Sequence, residues 1–186
     1  DLRGYAYHKK GDEDHAIADY DERLRREPND VGSHLNRGDA HRNKRDYAAA
    51  SEDYSEAIRL DPTNPGGYGG RGFVRLVMQD FKGSAADFDQ AIKLQPNNPG
   101  LYANRGSALS MLGDKKGAMA DYDTALRLEP GHPINHVNRA MLLTDMGDTA
   151  GALTAIRKAL AIAPDFPPAL EQLKKIEAAR KSAAKK

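Results

Sequence analysis

The side chains in this sequence that could do chemistry are its histidines, serines and carboxylates, and their spacing argues against catalysis. His8, His15, His34, His41, His132 and His136 are scattered, and no His-Glu-x-x-His or comparable run is present to ligate a metal. Cysteine is absent, which removes thiol catalysis, Cys-ligated zinc and any disulfide framework. The serines have no Gly-x-Ser-x-Gly setting. Gly66-Gly67-Tyr68-Gly69-Gly70-Arg71-Gly72 contains a formal GxGxxG, but no strand precedes it, so a phosphate-cradling turn is not expected there. No acid, base or nucleophile constellation emerges. The chain is read as no enzyme, with no cofactor and no metal site.

Charge narrows the partners. Lys and Arg number 28 against 27 Asp and Glu, too even a balance to recruit nucleic acid or an anionic membrane. No apolar run approaches the roughly 18 to 20 residues of a membrane helix, and the first thirty residues lack a signal-peptide pattern. The expectation is a soluble chain, cytoplasmic or periplasmic, with no nucleic acid partner and no membrane insertion.

The elements that must position any binding residues follow from an internal repeat. Pro28, Pro62, Pro96, Pro130 and Pro164 each fall 34 residues after the last. Gly4, Gly38, Gly72 and Gly106 keep that step, followed by Ala140, and Tyr20, Tyr54, Phe88, Tyr122 and Ile156 form a large apolar column. Ala57, Ala91, Ala125 and Ala159 form a small one, with Arg23 departing from it, and Ser84 departs from the Ala50 column. Asn64 and Asn98 cap first helices that carry Pro65 and Pro99 in their opening turn, as Pro133 and Pro167 do later. Asp12, Asp46, Asp80, Asp114 and Asp148 then cap second helices after a tight turn. Neither helix buries its apolar stripe alone, so successive pairs must stack.

These columns, with Asp53-Tyr54-Ser55-Glu56-Ala57-Ile58 and Asp121-Tyr122-Asp123-Thr124-Ala125-Leu126, resemble the tetratricopeptide repeat family over nearly the whole chain. The resemblance implies an all-α fold, a right-handed α-solenoid of stacked antiparallel helix pairs with about five repeats and a C-terminal capping helix. The repeats are placed at 1–30 (N-terminally truncated), 31–64, 65–98, 99–132 and 133–166, the capping helix at 167–180 and a basic tail at 181–186. Leu170, Leu173 and Ile176 are expected to form the cap's apolar stripe.

Arg3, Arg37, Arg71, Arg105 and Arg139 recur in the first helices, and Asp19, Asp53, Asp87 and Asp121 in the second, with Ala155 replacing the last Asp. One reading pairs each Arg with the Asp of the preceding repeat, as Arg37 with Asp19 and Arg139 with Asp121; the other leaves both as solvated charges. On the first reading Arg3 lacks a partner, and a further repeat is expected before Asp1.

The resemblance places the first helices on a concave side, with a peptide-binding groove over Asn36, Asp39, Arg42, Phe73, Leu76, Asn104, Asn138 and Met141. The column of Leu2, Asn36, Gly70, Asn104 and Asn138 resembles the asparagine ladders of the family, broken at Leu2 and Gly70, each amide offering a donor and an acceptor to a peptide backbone; the alternative is that Asn satisfies a neighbouring helix. An apolar anchor is expected near Phe73 and an acidic group toward Arg42. The family's lysine-based clamp for a C-terminal carboxylate is not expected, because its column reads Asp1, Leu35, Gly69, Ala103 and Val137. The Gly66–Gly72 stretch reads either as a hinge or as a gap that admits a bulky ligand group. The leading reading is a scaffold for a protein or peptide ligand. Self-association as a homo-oligomer and a recognition arm of a larger enzyme are the alternatives.

Overall fold

The structure, a computed structural model, describes residues 2–183, with side chains through Lys181. All regular elements among these residues are α-helices. They are α1 (Leu2–Lys9), α2 (Glu13–Arg26), α3 (Val31–Asn43), α4 (Tyr47–Leu60), α5 (Pro65–Val77) and α6 (Phe81–Leu94), then α7 (Pro99–Met111), α8 (Lys115–Leu128), α9 (Pro133–Asp145), α10 (Thr149–Ile162) and α11 (Pro167–Ala183). The chain divides into two compact halves, Asp1–Pro96 and Asn97–Lys186.

Local chemistry sets the helix ends. Each second helix is capped by its recurring aspartate, whose carboxylate accepts from a backbone N–H three residues on. The distances are 3.2 Å for Asp46 and Ala49, 2.9 Å for Asp80 and Gly83, 2.9 Å for Asp114 and Gly117, and 2.8 Å for Asp148 and Gly151. The turn before the cap needs one left-handed residue. Gly11, Gly113 and Gly147 supply it without strain, whereas Arg45 and Gln79 adopt φ of 62° and 65° in the same place.

In the N-terminal half, Ala50 and Tyr54 of α4 enclose Val74 of α5, with Leu35 and Tyr47 packed around them. The next repeat thus buries its side chain against the previous one, as lateral stacking requires. First helix α3 also packs directly on α5, whereas α4 and α6 make no comparable contact. In the C-terminal half, Ala118 and Tyr122 of α8 enclose Leu142 of α9 in the same manner.

The glycine column packs on the aromatic sixteen residues later in its own repeat. A Cβ on Gly38 would lie 2.9 Å from the Tyr54 ring, and one on Gly106 would lie 3.0 Å from Tyr122. The Gly66–Gly72 stretch is continuous α-helix, and the gap reading is corrected. The space beside Gly70 is filled by the Tyr54 ring, 2.4 Å from where a Cβ would be, and Gly67 sits against Ile58 at 2.8 Å.

Both departures from the repeat pattern are accommodated. Ser84 is fully buried but donates its hydroxyl to the Gly72 carbonyl at 2.8 Å. Arg23 turns toward the connecting loop and reaches Asp30 at 3.2 Å. The cap helix α11 buries Ala169 and Ile176, with Leu173 partly buried, while Leu170 is 38% exposed. The expected stripe is therefore rotated: Ala169, one turn before Leu173, takes the buried place assigned to Leu170. Helix α11 runs through Ala183, and the last three residues of the basic tail lie outside the described residues.

Candidate functional site: the first-helix faces

The Arg and Asp columns form a ladder, but in a register different from the expected one. Arg3 donates to Asp19 at 2.6 and 2.7 Å, Arg37 to Asp53 at 2.6 and 3.0 Å, Arg71 to Asp87 at 2.8 and 2.9 Å, and Arg105 to Asp121 at 2.8 Å twice. Every pair lies within one repeat, and the solvated alternative fails because Asp53, Asp87 and Asp121 are buried. An antiparallel hairpin puts residues sixteen apart side by side, the same offset that joins Gly38 to Tyr54. Arg37 also gives Nη1 to Asp21 of the preceding repeat at 2.6 Å, and Arg71 gives Nη1 to Ser55 at 3.1 Å. The carboxylates raise the guanidinium pKa of Arg37 and Arg71 against the opposing effect of burial. Arg3 is satisfied by Asp19, so the ladder gives no indication of what precedes it.

His34 and His136 serve packing and tether loops. His34 Nε2 donates to the Pro28 carbonyl at 2.8 Å, and His136 Nε2 to the Pro130 carbonyl at 3.2 Å. Among the described residues no group of three or more His, Asp or Glu side chains is placed to hold a metal ion.

The exposed face of α3 and α5 contains a connected set of side chains. Tyr54 donates its hydroxyl to Asp39 at 2.6 Å, Asp39 pairs with Arg42 at 3.0 Å, and the Arg42 guanidinium lies 5.5 Å from the centre of the Phe73 ring. Burial, then Asp39, pushes the Tyr54 hydroxyl pKa far above its ordinary value. Phe73 is exposed at its ring and Leu76 is half-buried. The structure thus brings Asp39, Arg42 and Phe73 together, and it modifies the expectation of an acidic ligand group at Arg42, whose charge is already met by Asp39. Other cations of this half are also engaged: Lys9 lies 5.1 Å from the Tyr5 ring, and Lys44 pairs with Asp14.

Asn36 on α3 and Asn104 and Asn138 on α7 and α9 are each half-buried. None of their side-chain amides hydrogen-bonds another described residue, so the reading in which they satisfy a neighbouring helix does not hold. Met141 is 49% exposed on α9.

Sequence columns showed which places vary but not that, in the last four repeats, they vary in step with the core. Tyr54 faces Asp39 and Tyr122 faces Ser107 at 3.2 Å, whereas Phe88 and Ile156 share their repeats with apolar Phe73 and Met141. The signal was a fixed offset of fifteen residues between the two columns.

Three family models described as tetratricopeptide repeat match the chain, at residues 32–64, at 88–120, and at 2–30 with 135–166. The chain belongs to the tetratricopeptide repeat family. No curated protein matches it in sequence. Among solved structures it is similar to MamA from Desulfovibrio magneticus RS-1, with a TM-score of 0.82 and 18% identity over 89% of this chain and 94% of that one. It is also similar to YrrB, described as a TPR protein with an unusual peptide-binding site, with a TM-score of 0.77 and 21% identity over 92% of this chain and 88% of that one. TTC0263, a thermophilic TPR protein of Thermus thermophilus, gives a TM-score of 0.74 and 21% identity over 96% of this chain and 95% of that one. At these identities the likeness establishes the TPR fold. No helix among the described residues is long and apolar enough to cross a membrane.

Proposed function

We propose that this TPR chain is a scaffold that holds a peptide segment of a partner protein along the exposed faces of its first helices. The observation that supports this reading is the asparagine column. Asn36, Asn104 and Asn138 recur at one helical position with amides that no other described residue engages. Such an amide can receive an N–H and donate to a C=O of an extended peptide, whatever side chains that peptide carries. Phe73 and Leu76 in one half and Met141 in the other offer apolar surface for anchoring side chains. The binding site of YrrB is a property of that protein; it shows that the same fold can hold a peptide.

The test is selection of a displayed random-peptide library on the immobilised chain, followed by titration of the selected synthetic peptide. Loss of two amide contacts in the Asn104→Ala/Asn138→Ala variant should weaken binding about 10- to 100-fold. Helicity should be unchanged. Undiminished affinity would reject the asparagine reading.

A further inference from the structure

The fifth repeat breaks the Arg–Asp ladder, and a cavity lies at the break. Ala155, 3% exposed, stands where the other repeats carry aspartate. Arg139 keeps a single contact, donating Nε to Asp123 at 2.7 Å, and its Nη1 and Nη2 have no partner among the described residues. Beside it lies a cavity of about 600 Å³ lined by His136, Arg139, Ala155, Lys158, Pro130 and Ile162.

The second repeat shows what this framework holds when it is complete. Its Pro28, His34, Arg37, Asp53 and Glu56 occupy the places of Pro130, His136, Arg139, Ala155 and Lys158. There the Asp53 carboxylate receives Arg37 Nη2 at 2.6 Å and faces His34 Nδ1 at 3.3 Å, while His34 Nε2 donates to Pro28. Arg37 meanwhile serves Asp21, the counterpart of Asp123, so one guanidinium in this setting holds two carboxylates. The corresponding surface in that repeat carries two separate cavities, one of about 380 Å³ lined by Glu52, Asp53 and Glu56 and one of about 510 Å³ lined by Asp21, Leu24, Arg25 and Arg37. In the fifth repeat Glu52, Asp53 and Glu56 become Thr154, Ala155 and Lys158. The donors remain, the Asp53 carboxylate has no counterpart and Lys158 replaces an acid, while Asp123 stays in the lining beside Arg139.

We propose that the cavity between α8, α9 and α10 binds an external carboxylate carried on a short apolar group. Its oxygens would sit between Arg139 and His136, where Asp53 sits in the second repeat. Lys158 supplies the second positive charge, and Leu126, Pro130, Ala161 and Ile162 supply the apolar wall. Because His136 Nε2 is committed to the Pro130 carbonyl, Nδ1 donates to an anion only when the ring carries both protons. Burial, Lys158 and Arg139 hold the His136 pKa below its usual value, against the raising effect of the Pro130 carbonyl. A bound carboxylate counters the repulsion from the two cations, so binding and proton uptake are linked. The site lies on second helices α8 and α10 and the buried side of α9, and it stands independently of peptide binding on the first-helix faces.

The experiment is an NMR titration of the full chain, following the His136 imidazole, with four probes: 4-methylpentanoate, a short peptide ending in a free Leu carboxylate, the same peptide as its C-terminal amide, and inorganic phosphate. Expected are saturable binding on the order of millimolar for a carboxylate probe, an upward shift of the His136 titration, and no response to the amide. The Ala155→Asp variant fills the site with the internal carboxylate that the other four repeats carry, so it folds, and it should bind at least about tenfold more weakly. A stronger response to the free acid identifies a small molecule as the source, and a stronger response to the peptide identifies a chain terminus; both support the proposal. Absence of saturation, phosphate binding as tightly as the carboxylates, or undiminished binding in Ala155→Asp would overturn it.

Discussion

The hydroxyl of Tyr54, a core residue of α4, donates to the carboxylate of Asp39 on the exposed face of α3 at 2.6 Å. Tyr20, its counterpart in the first repeat, has its hydroxyl buried with no partner, and burial, reinforced by nearby carboxylates, pushes its pKa up to about 12. The same substitution should therefore have opposite effects at the two sites. Tyr54→Phe removes a charge-assisted hydrogen bond and should cost about 1.5 to 3 kcal/mol. Tyr20→Phe removes an unsatisfied polar atom and should be neutral or stabilising by up to about 1 kcal/mol, as Phe88 already fills that column. Urea denaturation of the two variants measures the difference.

Glycine at position 70 is required by the Tyr54 ring. Ala gains about 1 kcal/mol in helix propensity over Gly, yet the added methyl would overlap the ring, and overpacking typically costs about 1 to 3 kcal/mol. Gly70→Ala should destabilise on balance. Gly32→Ala, whose Cβ would meet only the Asp30 carboxylate at 3.5 Å, should be neutral or stabilising. Equal thermal midpoints for the two variants would contradict this packing account.

His136 makes stability depend on pH in a predictable direction. Its folded pKa lies below the unfolded value because of burial and then the charges of Lys158 and Arg139, against the Pro130 carbonyl. The unfolded chain therefore binds the proton more readily, and this contribution is fully present above about pH 6.5 and lost as pH falls through the folded value. Stability should drop as pH falls below about 6.5, and the drop should be shallower in His136→Tyr, a residue the third and fourth repeats carry in that column. Denaturant midpoints measured on both sides of that pH provide the check.

Much of this architecture was legible because five copies reinforce each column. The capping aspartates are a local rule stated five times, and the glycine, aromatic and buried alanine columns are each stated four times. The Arg–Asp register was not legible from the Arg and Asp columns alone, since Arg37 stands near both Asp19 and Asp53 in repeat arithmetic, and only the hairpin crossing selects Asp53. The shared offset with Gly38 and Tyr54 was the usable clue. The exception at Ala155 was visible in sequence, but its consequence was not. The unengaged Arg139 edges beside His136 and Lys158 depend on packing among three helices.

The central claim is that the first-helix face receives the peptide, and photo-crosslinking tests it most directly. With p-benzoylphenylalanine replacing Leu76 on that face, the library-selected peptide should be captured covalently. Truncation of the exposed Phe73 should weaken its binding about tenfold or more. With the photoprobe replacing Gln90, exposed on second helix α6, capture should be absent. Capture from position 90 and none from position 76 would contradict the account.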